Sequence, residues 1–307
     1  MPAAGGIERT GIDFPFLFLY NTTMNLITIF TNLPVTQLEI SPIAQLMAVI
    51  SGFVIKPVYM ILSLVLILII RKNKTPPVTL IRWSLISFLV GESFCALNYL
   101  LTRGASDILE ILHGAGMVGF SIFLPWGVFV LIDEYVLHFS TESAPAPCAS
   151  IKLCGPCWKY SSAPCKLKQL FWFAAPTLAI ISLMPLFMPL KPFHYILNIY
   201  STPGHFYFSS LVLGIELRLY PILAAVLMLS SLFFLGGDNT SLKKSQLPFF
   251  IGTGFMSFSL LRFVLIYAYY GSPHWFSFWE ELTELMIIAG LCLFFYIFRK
   301  TVGLLKE

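Results

Sequence analysis

Seven stretches of this chain are apolar over the length needed to cross a bilayer, and no other feature constrains its fold as strongly. They run over roughly 44–70, 77–101, 115–137, 168–190, 208–235, 247–270 and 276–298. A helix rises 1.5 Å per residue, so about 20 residues match a hydrocarbon core of about 30 Å. Lipid offers the backbone no hydrogen-bonding partner, and a helix satisfies its own N–H and C=O groups. The short alternating segments of a membrane β-barrel are not seen in the sequence. Composition agrees: 57% of residues are hydrophobic and only 11% charged, against about 25% charged in soluble domains. The expected fold is therefore all-α, a polytopic helical integral membrane protein with about seven transmembrane helices. The lipid bilayer is its first partner. Lys and Arg are scattered over short loops, so a nucleic-acid partner is not expected.

The chain divides into an N-terminal outer-side or interfacial segment (1–43), three helices (44–137), a loop (138–167) and four helices with a short tail (168–307). Residues 14–35 are apolar but interrupted by Asn21, Thr22, Thr23, Asn25 and Pro34. They read as an interfacial helix; if they span, the helix count becomes eight. Basic residues set the orientation. Arg71, Lys72, Lys74, Lys152, Lys159, Lys166, Lys168, Lys243, Lys244, Arg299, Lys300 and Lys306 share one side, against Arg9, Arg103 and Lys191 on the other. The positive-inside rule places the richer side, with the C-terminus, in the cytoplasm. A bacterial inner membrane is the expected location.

Four of the six cysteines crowd the 138–167 loop. Cys148, Cys154, Cys157 and Cys165 have the spacing C-x5-C-x2-C-x7-C, with Gly155-Pro156 turning the chain between the central pair. A C-x2-C pair on a turn can hold one metal with two sulfurs, and the outer two complete a four-thiolate shell. One metal centre is expected there, either zinc or an iron–sulfur cluster. Cys95 and Cys292 lie inside spans and read as packing residues.

Ionisable residues at membrane depth are costly and mark functional sites by default. Lys56 sits at mid-span before Pro57, and Glu92 is the acid nearest to it in depth. On the side opposite the cysteine loop lie Glu92, Glu216, Arg218, Arg262, Glu284, His113 and His274, which read as a polar cavity for protons or a quinone head group. In this reading both arginines are neutralised by the acids, and Glu280 and Glu281 are solvated where the seventh span opens. Arg82 faces Asp133 and Glu134 in the other half.

No nucleotide-binding loop, zinc-protease or serine-hydrolase motif is present, and no residue is assigned a catalytic role. The function expected first is that of a membrane subunit in a redox or respiratory-type assembly, with other protein subunits as partners. The alternatives are a structural or sensory anchor with a zinc-stabilised docking loop, and an ion-coupled transporter. Because structural metal sites contribute directly to folding, Cys154→Ser and Cys157→Ser should lose the metal centre held by the loop. Cys95→Ser and Cys292→Ser should retain it. Metal analysis with an optical spectrum checks both outcomes.

Overall fold

The computed structural model describes residues 35–37, 41–137, 166–191, 193–199, 202–235 and 241–299. The four loop cysteines, His138 and residues 14–34 of the apolar run lie outside the described residues. The first helix, α1, runs over Pro42–Ile70, followed by α2 (Pro76–Thr102) and α3 (Asp107–Ile132). After the loop come α4 (Lys166–Ser182), α5 (Ser210–Leu235), α6 (Ser241–Tyr269) and α7 (Pro273–Ile297). Six helices are long and apolar enough to cross a membrane. The remaining long helix, α7, has 25 residues but carries Glu280, Glu281 and Glu284 in its first half. The bundle turns large apolar side chains outward: Phe53, Ile61, Leu68, Phe173, Phe187 and Phe233 are all exposed. Such a surface fits lipid rather than water.

Local sequence explains where the helices begin. Ser41 caps α1, its Oγ accepting the Ala44 N–H at 3.3 Å, with Pro42 in the first turn. Ser106 caps α3 by accepting the Leu109 N–H at 3.4 Å, and Asp107 and Glu110 occupy the first turn. Both features favour a helix N-terminus. The third helix therefore starts about two turns before the hydropathy boundary at residue 115, which carries Glu110 and His113 onto the helix.

Two prolines reshape the helices near their charged residues. Pro57 lacks the N–H that the preceding turn needs, and the Lys56 N–H bonds the Ser51 carbonyl five residues back, closing a π-turn over Ser51–Ile55. Pro221 has the same effect on α5. The Tyr220 N–H bonds the Ile215 carbonyl, and Ile215–Leu219 forms a π-turn. Neither Tyr220 nor Pro221 then serves the Glu216 carbonyl, and Ser259 on α6 donates to it at 2.6 Å. Proline and inserted π-turns are the usual causes of such local unwinding.

One addition to the helical expectation is a three-stranded sheet. It contains β1 (Val35–Gln37), β2 (Phe193–Ile199) and β3 (Thr202–Phe208) in that order. β2 and β3 are antiparallel, pairing Phe193 with Phe208 and Ile199 with Thr202; β1 runs parallel to β2, with Val35 opposite His194. Residues 193–199 are rich in aromatic and β-branched types, which favour strands. The sheet attaches through Phe206 and Phe208, two residues apart on one face. Both rings pack edge-on against Phe276 of α7, with centroids 5.5 and 5.6 Å away.

Small residues bring α2 and α3 into backbone contact. A Cβ added to Gly116 would lie 2.5 Å from Gly91 Cα, and one added to Gly91 would lie 3.1 Å from the His113 carbonyl oxygen. Small residues permit this approach in membranes, and it holds Glu92 beside His113. Gly116→Val should push the two helices apart and cost about 1–3 kcal/mol, the usual range for overpacking. Unfolding in detergent measures this, with Gly290→Val as a comparison, since nothing lies within 4 Å of a Cβ there.

Candidate functional site

Lys56 is the centre of a buried polar group contributed by four helices. The π-turn before it aims its ammonium between α2 and α7. It pairs with Glu92 and, at 2.8 Å, with Glu281. The Lys56 side chain is 13% exposed and that of Glu92 is 0%. Lys56 Nζ also lies 3.3 Å from Cys95 Sγ. Tyr59, one turn along α1 and fully buried, donates its hydroxyl to Glu92 at 2.6 Å and also contacts Glu281. A buried ion pair holds only when its remaining polar atoms are satisfied, and the tyrosine bridges the two acids that flank the lysine. Its ring packs on Phe88, which packs on Phe120, so apolar contacts hold the hydroxyl in place.

His113 completes the group from α3. Its Nε2 lies 3.2 Å from Glu92 Oε1, and its Nδ1 lies 4.0 Å from Glu110. Glu284, on the turn after Glu281, is buried beside them. Glu92, His113 and Glu284 each offer a donor atom within 4.8 Å of the other two. Glu284 Oε2 is buried without a hydrogen-bond partner.

A second group surrounds Arg262 on α6. It pairs with Glu280, lies 3.5 Å from Glu216 and reaches Glu110 at 4.0 Å. Phe208, Phe258 and Phe276 enclose the guanidinium, with ring centroids 5.5–5.9 Å from Cζ. Aromatic faces attract a desolvated cation and help to hold it away from water.

The residues singled out from the sequence thus separate. Glu92, His113 and Glu284 meet at Lys56, while Glu216 and Arg262 meet in the second group. Arg218 belongs to neither group. Its guanidinium donates to the Pro185 carbonyl at 2.7 Å, the Leu217 carbonyl at 3.0 Å and the Met188 carbonyl. The expectation that acids neutralise it is therefore wrong. Positions 216 and 218 lie about 200° apart around a helix, so their side chains diverge, and Arg218 instead caps the chain end after α4. His274 is buried at the start of α7, its Nε2 without a hydrogen-bond partner. Glu281 is not solvated: it is 8% exposed and bound to Lys56. Glu280 is also engaged, by Arg262. Arg82 donates to the Arg71 carbonyl at 3.0 Å.

Tyr59 and Glu110 are members that the sequence reading left out, while Cys95 was read as a packing residue and Glu281 as solvated. A signal for them existed. Each of four helices presents a pair at i and i+3: Lys56 with Tyr59, Glu92 with Cys95, Glu110 with His113, and Glu281 with Glu284. Residues so spaced share a helix face. No family model matches the chain, and neither a curated protein nor a solved structure matches it.

Removing the lysine charge tests the centre of this arrangement. Lys56→Met leaves Glu92 and Glu281 buried without their cation and should cost about 3–5 kcal/mol, the range for breaking a buried pair from one side. Glu280→Gln should cost less, because Arg262 keeps Glu216 and the Glu280 side chain is 18% exposed. Unfolding of both variants in the same detergent gives the order.

Proposed function

We propose that this membrane protein takes a small cation into the acid group around Lys56 and works as an ion-coupled carrier. One observation supports the reading above all others: three carboxylates, Glu92, Glu281 and Glu284, share one fixed cation in the interior of the bundle. Uncompensated charge at that depth is expensive, so the group favours capture of further positive charge. The Arg262 group also holds three acids against one cation. Its Glu110 and Glu280 side chains, however, keep 19% and 18% exposure, so water moderates their charge. The first group is suited to binding an ion and the second to holding α5, α6 and α7 together.

The basic-residue bias supports an orientation with the C-terminus and cysteine loop in the cytoplasm, the sheet on the opposite side, and a bacterial inner membrane as the location. A second reading rests on the cysteine spacing. Here the chain is a subunit of a redox or respiratory-type assembly, or an anchor with a zinc-stabilised docking loop, and other subunits bind at that loop. The polar group would then serve protons or a quinone.

Flux through reconstituted vesicles tests the carrier reading. Vesicles containing the protein should pass protons or divalent cations, followed with trapped dyes, faster than empty vesicles do. Glu284→Gln should lose most of this flux while Cys292→Ser retains it. Vesicles as tight as empty ones towards both classes of ion would overturn the proposal.

A further inference from the structure

The buried donor atoms of the Lys56 group identify the ion more closely. Glu92, His113 and Glu284 come from α2, α3 and α7 and are 0%, 4% and 4% exposed. Buried polar atoms are nearly always hydrogen-bonded, yet Glu284 Oε2 has no partner, and it lies beside the pair formed by Glu92 Oε1 and His113 Nε2. The two oxygens of Glu92 have different surroundings: Oε2 accepts from Tyr59 and pairs with Lys56, while Oε1 faces His113. The 3.2 Å between Glu92 Oε1 and His113 Nε2 is close to the separation of about 3.3 Å that two donors adopt at a tetrahedral metal with bonds of about 2.0–2.1 Å.

We infer that Glu92, His113 and Glu284 form a binding site for a divalent ion of the first transition row. The inference rests on the carrier reading and specifies its ion. Imidazole with carboxylates is a donor set for such metals. Charge also fits: with all three carboxylates ionised, the Lys56 ammonium would leave two negative charges, which one divalent ion balances. The Nδ1 of His113 faces Glu110, as a carboxylate often backs a metal-bound histidine. Lys56 and Tyr59 hold the other oxygen of Glu92, so the carboxylate is oriented without the ion. The Arg262 group has no equivalent site, because its guanidinium lies among the acids.

Manganese is the probe of choice, since carboxylate sites accept it and thiolate sites select softer ions. The full chain in detergent, stripped with a chelator, is titrated with Mn2+ while electron paramagnetic resonance follows the free ion. A single Mn2+ per chain should bind, with nitrogen coupling from an imidazole. Glu284→Gln should weaken binding by at least about tenfold, and His113→Gln should remove the nitrogen coupling. Both are compared with wild type by thermal unfolding. Wild type alone already decides the matter if a variant does not fold: no bound Mn2+, or bound Mn2+ without nitrogen coupling, overturns the site. Proton flux in vesicles without Mn2+ binding also overturns the site but leaves the carrier reading standing. Coupled Mn2+ in a protein that passes no ions keeps the site and overturns the carrier.

Discussion

A lysine in the middle of a membrane helix must find negative charge or abandon its own, and the bundle is arranged around that requirement. Lys56 draws Glu92 of α2 and Glu281 of α7 to α1. Those contacts require α2 and α7 to flank α1 at one depth. His113 joins only because α3 can approach α2 backbone to backbone at Gly91 and Gly116. A larger residue at either position would separate Glu92 from the imidazole. The glycines and the charges are therefore parts of one device: one sets the distance, the other uses it.

The two ionic groups divide the work by their access to water. Around Arg262, aromatic rings exclude solvent from the cation, and partly exposed acids carry the balancing charge. Such a group can be permanent, linking α6 to α5 and α7. Around Lys56 the acids are deep and outnumber the lysine they surround, and Glu284 Oε2 is left without a hydrogen-bond partner. Permanence there would leave unbalanced charge in a low-dielectric interior. In the carrier reading proposed above, an incoming cation would supply the missing positive charge. α7 joins both groups through adjacent residues, Glu280 to Arg262 and Glu281 to Lys56, so displacement of one would be felt at the other.

Proline has a constructive part in this arrangement. A regular helix through residues 51–56 would distribute its hydrogen bonds without interruption. Pro57 prevents that, and the resulting π-turn sets the angle at which Lys56 leaves α1. Pro221 acts similarly on α5, where the freed Glu216 carbonyl becomes the link to Ser259 of α6. The sheet closes the same end of the bundle by packing Phe206 and Phe208 onto Phe276, the helix residue four before Glu280.

The sequence by itself determined the helical membrane class, because apolar runs of this length leave the backbone no other stable form in lipid. It also determined the need for a partner at Lys56, since depth can be read from position along a span. The face shared by residues three apart was equally legible, and would have added Tyr59, Cys95, Glu110 and Glu281 to the site. Hydropathy placed the start of the third helix too late because polar residues in a first turn resemble a loop, although Ser106 and Asp107 mark a cap. Only the tertiary structure decided how the charges group. Glu280 and Glu281 are neighbours in sequence, yet one meets Arg262 and the other Lys56, because adjacent helix residues point about 100° apart. Arg218 departs from the acids for the same geometric reason. Which helix stands opposite each of those directions depends on the packing of the whole bundle, and no local pattern carries that information.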